Sequence, residues 1–292
     1  MNKAARLGSL LLAGALACGA TAQVSPGAAL RTRYEALNLA LAQSPFGQPL
    51  VLESVQDAGR LQGDIHALVN YPFALVSAAL RQPERWCEAL SLHPNTKYCR
   101  ASSLAGNQRV LVQLGAKTAQ DPGLSSSVEF RFRVPGQTPD TLEVELQAPS
   151  GPWGTTDYRI RLEAVSLPGG KTFLHLTYSN SYGLTGRLAL QAYLATAGSS
   201  KVGFSQLATT AGAAPQYVGG MRGLVERNTM RYYLAIDAVL ESFQAAPETR
   251  LERRLQRWFT ASEQYQRQLH ELDWTTYRQL KLAEQARQQD SL

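Results

Sequence analysis

The residues best suited to acid–base or metal chemistry are four histidines that lie far apart in the sequence. They are His66, His93, His175 and His270. No two of them have the spacing of a metal site, and no Cys-x-x-Cys pair is present to complete one. The chain also lacks the glycine-rich phosphate loop, the dinucleotide fingerprint and the Gly-x-Ser-x-Gly turn. The sequence therefore predicts no metal, no cofactor and no motif-borne catalytic centre.

The most enzyme-like group of polar residues falls in one predicted helix. It comprises Glu226-Arg227-Asn228 with Arg231, Tyr232 and Tyr233. An arginine and a tyrosine on one helix face could bind a carboxylate or a lipid head group. Polar residues at the start of a long helix more often serve as caps and surface ion pairs. No catalytic residue is therefore assigned.

Two cysteines, Cys87 and Cys99, are twelve positions apart. In an oxidising compartment such a pair most simply forms a disulfide, and closing a loop of this length stabilises a protein by about 3 kcal/mol on the chain-entropy model. The alternative is two buried thiols. The stretch His93–Lys97 between them is predicted to be a turn.

The N-terminus has the three parts of a signal peptide that is removed on export. Lys3 and Arg6 form the basic start, Leu7–Ala17 is apolar, and Ala20-Thr21-Ala22 is a small-residue cleavage site. The apolar part is shorter than the roughly 20 residues of a membrane-spanning helix. We therefore expect residues 1–22 to be cleaved and the protein to reside in the periplasm or outside the cell.

Cys18 supports an alternative interpretation of the same segment. Ala15-Leu16-Ala17-Cys18 loosely resembles the site at which lipoproteins are cut and lipidated. The leucine that usually stands three residues before the lipidated cysteine is missing. A soluble exported protein is favoured over a lipoprotein.

The charge pattern argues against nucleic acid as a partner. The formal net charge is +6, and basic residues are interleaved with acidic ones, as in Glu248–Arg257. This is typical of a solvated helix face and not of a surface that follows phosphates. A mildly basic surface is compatible with transient contact with an anionic membrane. The sequence identifies neither a protein partner nor an oligomeric state.

The spacing of apolar residues predicts a helix, a strand, two short helices and then an antiparallel sheet. The first four elements are expected at 27–43, 60–69, 74–80 and 83–90. Five further strands are expected at 109–114, 128–134, 141–148, 158–165 and 171–178, divided by turns rich in Gly and Pro. Helices are expected at 184–197 and 221–243, a further strand at 201–207, and one or two amphipathic helices after Pro247.

The predicted strands have one apolar and one charged face. The apolar face includes Phe130, Phe132, Leu142, Val144, Tyr158 and Ile160. On the other face, charges of opposite sign can pair across strands, namely Glu129, Arg131 and Arg133 with Glu143 and Glu145. Because an antiparallel sheet with one solvated face must cover the other, the helix at 221–243 is expected to lie over the apolar face.

This order of elements resembles the helix-grip fold of START-like (SRPBCC) proteins. The stretch His66–Leu80, followed by Pro83-Glu84-Arg85-Trp86, resembles the opening strand, Pro-hydrophobic segment and Trp of that superfamily. The stretch Gly219–Asn228 resembles the glycine-led entry to the closing helix of its lipid-transfer members. The resemblance covers about 50–244. It implies an α+β fold in which a curved sheet grips a long C-terminal helix around an apolar cavity.

Two parts of the chain depart from this pattern. Residues 184–215 insert a helix before the closing one, and the last 45 residues have no counterpart in a minimal domain. Either part could be a lid, or the helix at Leu184 could be the closing one. The predicted organisation is a signal peptide at 1–22, a lead-in helix and linker at 23–49, a START-like domain at 50–246 and a helical extension at 247–292.

The resemblance implies a protein that binds or carries a hydrophobic small molecule or lipid, without covalent chemistry. The candidate ligand-binding residues are Phe130, Phe132, Leu142, Val144, Tyr158 and Ile160 on the sheet, with Met230, Tyr233 and Leu234 on the closing helix. Each of them could instead belong to a packed core. Two other functions stay open. One is a cyclase-type enzyme, which needs titratable groups converging on the cavity, and the other is a structural or adaptor protein acting through 247–292.

Overall fold

The computed structural model describes residues 26–290, apart from 105, 119–125, 196, 197, 199 and 209–213. The predicted signal peptide and Cys18 lie outside these residues. Among the helices that the structure describes, none has the length and hydropathy needed to span a bilayer.

Eight strands of the described residues form one antiparallel sheet. They are β1 (Leu50–Asp57), β2 (Arg60–Val69), β3 (Thr96–Leu104), β4 (Asn107–Leu114), β5 (Ser126–Gln137), β6 (Thr141–Ser150), β7 (Thr155–Leu167) and β8 (Lys171–Tyr182). Their order across the sheet is β1-β2-β8-β7-β6-β5-β4-β3. The last strand of the meander therefore lies beside β2, near the start of the chain.

Helices cover both faces of this sheet. They are α1 (Pro26–Ala42), α2 (Phe73–Leu80), α3 (Pro83–Leu90), α4 (Leu184–Ala195), α5 (Gly220–Ser242), α6 (Pro247–Glu263), α7 (Gln266–Leu269) and α8 (Trp274–Asp290). The long helix α5 packs against β1, β2 and β8 and against α3 and α6, so α5 is the closing helix. Helix α1 packs on the outer face of the sheet, where Tyr34 meets Phe173 at 5.2 Å between ring centroids.

Strand register produces the two faces expected from the sequence. Phe132 lies opposite Leu146, and Leu146 lies opposite Ile160, so these apolar residues share the inner face. On the outer face Arg133 lies opposite Glu145 and donates a hydrogen bond to it at 2.9 Å. A strand, two short helices, an antiparallel meander and a long closing helix make up the helix-grip topology. The α+β fold that the resemblance implies is therefore confirmed.

Two edge strands were absent from the sequence prediction. β1 pairs with β2 through a turn at Gly59, where φ is 88°, but beyond Leu50 the strand is half-buried or exposed. β3 begins inside the stretch His93–Lys97 that was predicted to be a turn. Lys97 points inward from β3, where an apolar residue would be expected, and its ammonium group forms an ion pair with Glu284. Neither strand alternates cleanly between apolar and polar residues. Helices and ion pairs cover the two strands, so a buried position need not be apolar.

The segment 201–207 is not the strand expected from its sequence, and only Gln206 forms a bridge, to Tyr217. Its main chain forms three hydrogen bonds with 216–218 and is otherwise held by α5. The carboxylate of Glu226 accepts hydrogen bonds from the N–H groups of Phe204 at 2.6 Å and Ser205 at 2.9 Å. A buried carboxylate thus takes the backbone donors that a sheet would otherwise use.

The C-terminal residues form three helices where one or two were expected. Their apolar stripe docks on the domain, since Leu255, Trp258, Leu269 and Tyr277 are buried in the same core cluster as the inner face of the sheet. Cys87 of α3 and Cys99 of β3 form the predicted disulfide, with Cα atoms 5.4 Å apart.

Candidate functional site

The nine residues predicted to bind a ligand all lie in the core between the sheet and α5. Tyr158 is half-buried and packs against this core, and the others are buried within it, namely Phe130, Phe132, Leu142, Val144, Ile160, Met230, Tyr233 and Leu234. The hydroxyl of Tyr233 donates to the side chain of Gln48 at 3.3 Å. The structure places both predicted sets in one core cluster, although α5 itself packs mainly on β1, β2 and β8. Their role in ligand binding stays a prediction, because the same contacts serve a packed core.

Three tyrosines bring polar groups into this apolar interior. Tyr158 of β7 and Tyr178 of β8 have ring centroids 6.3 Å apart, and the ring of Tyr232 of α5 lies 5.1 Å from Tyr178. The side chains of Asn228 and Tyr158 lie close enough to the hydroxyl of Tyr178 to influence its pKa. Tyr158 in turn shares a 2.8 Å hydrogen bond with the hydroxyl of Thr155. We refer to Tyr158, Tyr178 and Tyr232 as the tyrosine cluster.

A line of accessible side chains on α5 faces the tyrosine cluster. Leu224, Asn228 and Tyr232 are half-buried, whereas every other residue from Gly223 to Leu240 is buried. Residues four apart lie on one helix face, and the contact with Tyr178 shows that this face points to the sheet. These three side chains therefore keep some accessible surface on the side of α5 that faces the tyrosine cluster. We refer to the space beside Asn228, Tyr232 and Tyr178 as the gap.

The polar groups beside this gap are neutral. Burial raises the pKa of all three hydroxyls of the tyrosine cluster. His93, whose ring centroid lies 6.3 Å from Tyr232, has a pKa well below its usual value because of burial and of the cationic side chains around it, Arg231 first. Its Nδ1 accepts a hydrogen bond from the N–H of Asn95 at 3.1 Å. Phenols, an amide and a neutral imidazole can hydrogen-bond a ligand but cannot balance an ionic charge.

The polar group noted on the closing helix is divided by the structure. Asn228 and Tyr232 face the sheet. Glu226 instead binds the 201–207 segment, and Arg231 forms an ion pair with Glu271 at 2.5 Å. Tyr178 was not singled out in the sequence, although it alternates with the inward residues Leu174 and Leu176 on β8. That alternation was the signal that could have identified it.

A second polar cluster lies on the outer face of the sheet. His175 lies between Asp64 and Glu163, and each carboxylate oxygen is 3.0 Å from a ring nitrogen. The ring of His175 stacks on that of His66 at 4.2 Å, and Arg33 of α1 approaches His66 at 3.4 Å. Strand register joins these histidines, which are 109 positions apart in the chain. No group of three or more His, Cys, Asp or Glu side chains in the described part of the chain could hold a metal ion.

The two histidines of the outer face titrate in opposite directions. Burial alone would lower the pKa of His175, but hydrogen bonds to Asp64 and Glu163 outweigh it and raise the pKa to about 9. Burial and the cationic neighbour His175 lower the pKa of His66 to about 3. At neutral pH the pair is therefore one cation stacked on one neutral ring.

This arrangement predicts a pH dependence of stability. Because the pKa of His175 rises from 6.5 in the unfolded chain to about 9 in the folded one, its stabilisation is complete below pH 6.5 and is lost as the pH rises through 9. We expect the free energy of unfolding to fall by roughly 1–2 kcal/mol between pH 6.5 and pH 8. Urea denaturation across this range measures it.

The matched variants are His175→Gln, which should remove the slope, and His270→Gln, which should keep it. His270 pairs with Glu263 at 2.9 Å, but its side chain is 49% exposed. An equal slope in wild type and His175→Gln would contradict the assignment.

A separate cleft of about 280 Å³ lies between α3, β3, α6 and α8. The disulfide lies in its wall beside Lys97, Lys281 and Glu284, all of them buried. The ammonium groups of the two lysines contact the carboxylate at 3.0 and 2.8 Å and also donate to main-chain carbonyls. This network attaches α8 to β3.

No protein-family model matches the chain, and no curated protein matches it in sequence. Several solved structures are similar. For the Zhui aromatase/cyclase of Streptomyces sp. R1128, the identity is 14% and the TM-score 0.33, covering 74% of this chain and 96% of that one. For human StAR-related lipid transfer protein 5, the identity is 9% and the TM-score 0.37, covering 74% and 98%.

Norcoclaurine synthase from Thalictrum flavum is 10% identical with a TM-score of 0.35, covering 82% of this chain and 99% of that one. Identities and TM-scores this low carry no information on the ligand or reaction of this chain.

Proposed function

We propose that this protein binds an uncharged hydrophobic small molecule between its sheet and α5, and carries it without covalent chemistry. The observation that supports this proposal is the accessible surface of Asn228 and Tyr232 on α5 beside the buried Tyr178, where uncharged polar groups lie among apolar residues. Few polar groups in an apolar concavity are typical of small-molecule sites.

The physical chemistry of the gap selects the class of ligand. Each Å² of apolar ligand surface removed from water contributes about 25 cal/mol, so about 200 Å² contributes roughly 5 kcal/mol. An ionic group placed beside the tyrosine cluster would lose its hydration, and the nearby cation Arg231 is already paired with Glu271. A lipid, sterol or aromatic molecule with one or two hydroxyl or carbonyl oxygens fits these conditions.

Binding of two probes of matched shape tests this proposal. We expect 2-naphthol, which is neutral at pH 7, to bind at least about tenfold more tightly than the 2-naphthoate anion, because only the anion must give up the hydration of a full charge. Fluorescence titration measures both affinities. Native mass spectrometry of protein purified from its own host should also show a bound neutral molecule.

Removing one hydroxyl tests the role of the tyrosine cluster. Tyr178→Phe should weaken 2-naphthol binding by about 1 kcal/mol, or roughly fivefold, through the lost hydrogen bond. The control is Tyr277→Phe, which loses a buried hydroxyl that donates to the carbonyl of Leu92 at 2.9 Å, outside the gap. The binding proposal is contradicted if neither naphthalene probe binds and no ligand co-purifies.

A cyclase-type enzyme is the second candidate function, because four titratable side chains from separate elements converge on the gap. They are Tyr158, Tyr178, Tyr232 and His93. The raised pKa values of the phenols and the lowered pKa of the imidazole make proton transfer at neutral pH inefficient. Recovery of a bound ligand unchanged after prolonged incubation supports the carrier, whereas conversion that is lost in His93→Gln supports the enzyme. The apolar stripe of α6 and α8 is buried against the domain. This arrangement does not favour an adaptor that binds a partner through these helices.

Export belongs to the same proposal. A signal peptide at 1–22 would deliver the domain to an oxidising compartment, where the Cys87–Cys99 disulfide persists. Mass spectrometry of the mature N-terminus tests this, since an N-terminal Gln23 indicates a soluble protein and a lipidated Cys18 indicates a membrane anchor.

A further inference from the structure

Three large apolar side chains are exposed at one end of the sheet. Trp153 is 59% exposed in the 3₁₀ turn Pro152–Gly154 between β6 and β7, and Leu184 and Leu188 of α4 are 74% and 59% exposed. The turn packs on the first residues of α4, so closely that a Cβ atom added at Gly186 would lie 3.1 Å from the carbonyl oxygen of Gly154. We refer to Trp153, Leu184 and Leu188 as the Trp153 patch.

The backbone at Trp153 is unusual for so large a residue. Its φ of 58° and ψ of 29° place it in the left-handed region, which bulky side chains rarely adopt. Strained conformations of this kind concentrate at functional positions. The fold therefore maintains a disfavoured conformation at a residue whose indole remains largely in solvent.

The Trp153 patch lies next to the proposed ligand site. The hydroxyl of Thr155 donates to the carbonyl of Pro152 and also bonds the hydroxyl of Tyr158. The ring of Tyr158 packs directly against Gly151, where an added Cβ would lie 2.3 Å from it. The same turn thus carries an exposed tryptophan on one side and contacts the tyrosine cluster on the other.

The charge of the surrounding chain suits an anionic partner. Helix α4 contains no Asp or Glu, and its one basic residue is Arg187. Arg187 lies on α4 itself and is exposed. The nearest acidic residue in sequence to Trp153 is the exposed Asp157.

The size of the patch favours a bilayer over a protein. A stable protein interface buries roughly 800 Å² on each partner, which three side chains cannot supply. Lipid needs no matching surface, and an indole, leucines and an adjacent arginine are the side chains that enter the boundary between head groups and acyl chains.

We propose that the Trp153 patch is a membrane-contact surface, which inserts into an anionic bilayer at the end of the sheet where the turn contacts the tyrosine cluster. This inference does not depend on which molecule the gap binds. A membrane contact and an apolar gap at the same end would allow a ligand to pass between lipid and protein without crossing water.

Vesicle flotation tests the proposal. The full chain is purified from its own host, with its natural N-terminal processing. It should float with vesicles of phosphatidylcholine mixed with phosphatidylglycerol and less with vesicles of phosphatidylcholine alone. The variant Trp153→Ser/Leu184→Ser/Leu188→Ser should lose about tenfold or more of its vesicle binding, because the surface that enters the lipid is removed. Arg187→Glu should reduce binding mainly to the anionic vesicles.

Leu39→Ser is the matched control, since Leu39 is 69% exposed on α1 at the outer face of the sheet. It should float like wild type. Unchanged flotation of the triple variant, an equal loss in Leu39→Ser, or absence of flotation by wild type would each overturn the proposal. Circular dichroism and 2-naphthol binding of the triple variant separate loss of membrane contact from loss of fold or of ligand binding.

Discussion

Replacing Glu284 with alanine is expected to lower the free energy of unfolding by about 3–5 kcal/mol. Glu284 is buried between Lys97 and Lys281, with carboxylate oxygens 3.0 and 2.8 Å from the two ammonium nitrogens. Its loss leaves two like charges buried with only main-chain carbonyls as partners. Because α8 is attached to β3 through this network, we expect the C-terminal helix to detach first. Urea denaturation at pH 7 measures the change.

The control for this variant is Glu252→Ala, which also removes an ion pair between α6 and α8. Glu252 pairs with Arg278 at 2.7 Å, but the two side chains are 45% and 42% exposed. Exposed pairs contribute about 0–1 kcal/mol, so the control should be nearly as stable as wild type. Equal losses in the two variants would show that burial of the lysines does not determine the effect.

Raising the pH should partly rescue Glu284→Ala. Burial lowers the pKa of Lys281 to about 8 even with Glu284 present. Because Glu284 raises the pKa of Lys281, its removal lowers that pKa further, and the variant loses the proton at a lower pH than wild type. An amine without its proton needs no counter-charge, so the deficit should shrink as the pH rises towards 8 and level off above it. A deficit that is constant up to pH 9 would contradict this explanation.

Removing the disulfide is expected to cost about 3 kcal/mol, or roughly a hundredfold in the folding equilibrium. Cys87 and Cys99 close a loop of twelve positions, so the bond restricts the unfolded chain. Both residues are buried at the junction of α3 and β3. Cys87→Ala/Cys99→Ala should therefore unfold at a lower urea concentration.

Reduction of the wild-type protein provides an independent comparison for this variant. A thiol reductant should destabilise the wild type by a similar amount and leave Cys87→Ala/Cys99→Ala unchanged. Wild type that is equally stable with and without reductant would show that the bond contributes nothing. Since His93 follows α3 directly, 2-naphthol binding before and after reduction reports whether the disulfide also shapes the gap.

Local patterns in the sequence were enough to predict much of this fold. β2 spans the predicted 60–69, and α2, α3 and α5 begin and end within one residue of the expected positions. Alternation of apolar and charged residues predicted the inner and outer faces of β5, β6 and β7, because successive side chains of a strand point to opposite faces of the sheet. The edge strands β1 and β3 lack such alternation, and only their pairing in the sheet defines them.

The sequence by itself determined the order of elements, the apolar face of the sheet and the cysteine pair. Only the tertiary structure brought Tyr158, Tyr178 and Tyr232 together, stacked His66 on His175, and placed Glu284 beside Lys97, 187 positions away. Periodicity reports whether a residue is buried, not which residue it meets. Partners depend on strand register and on how α5 packs on the sheet and α8 on β3, and these are set by packing of the whole core.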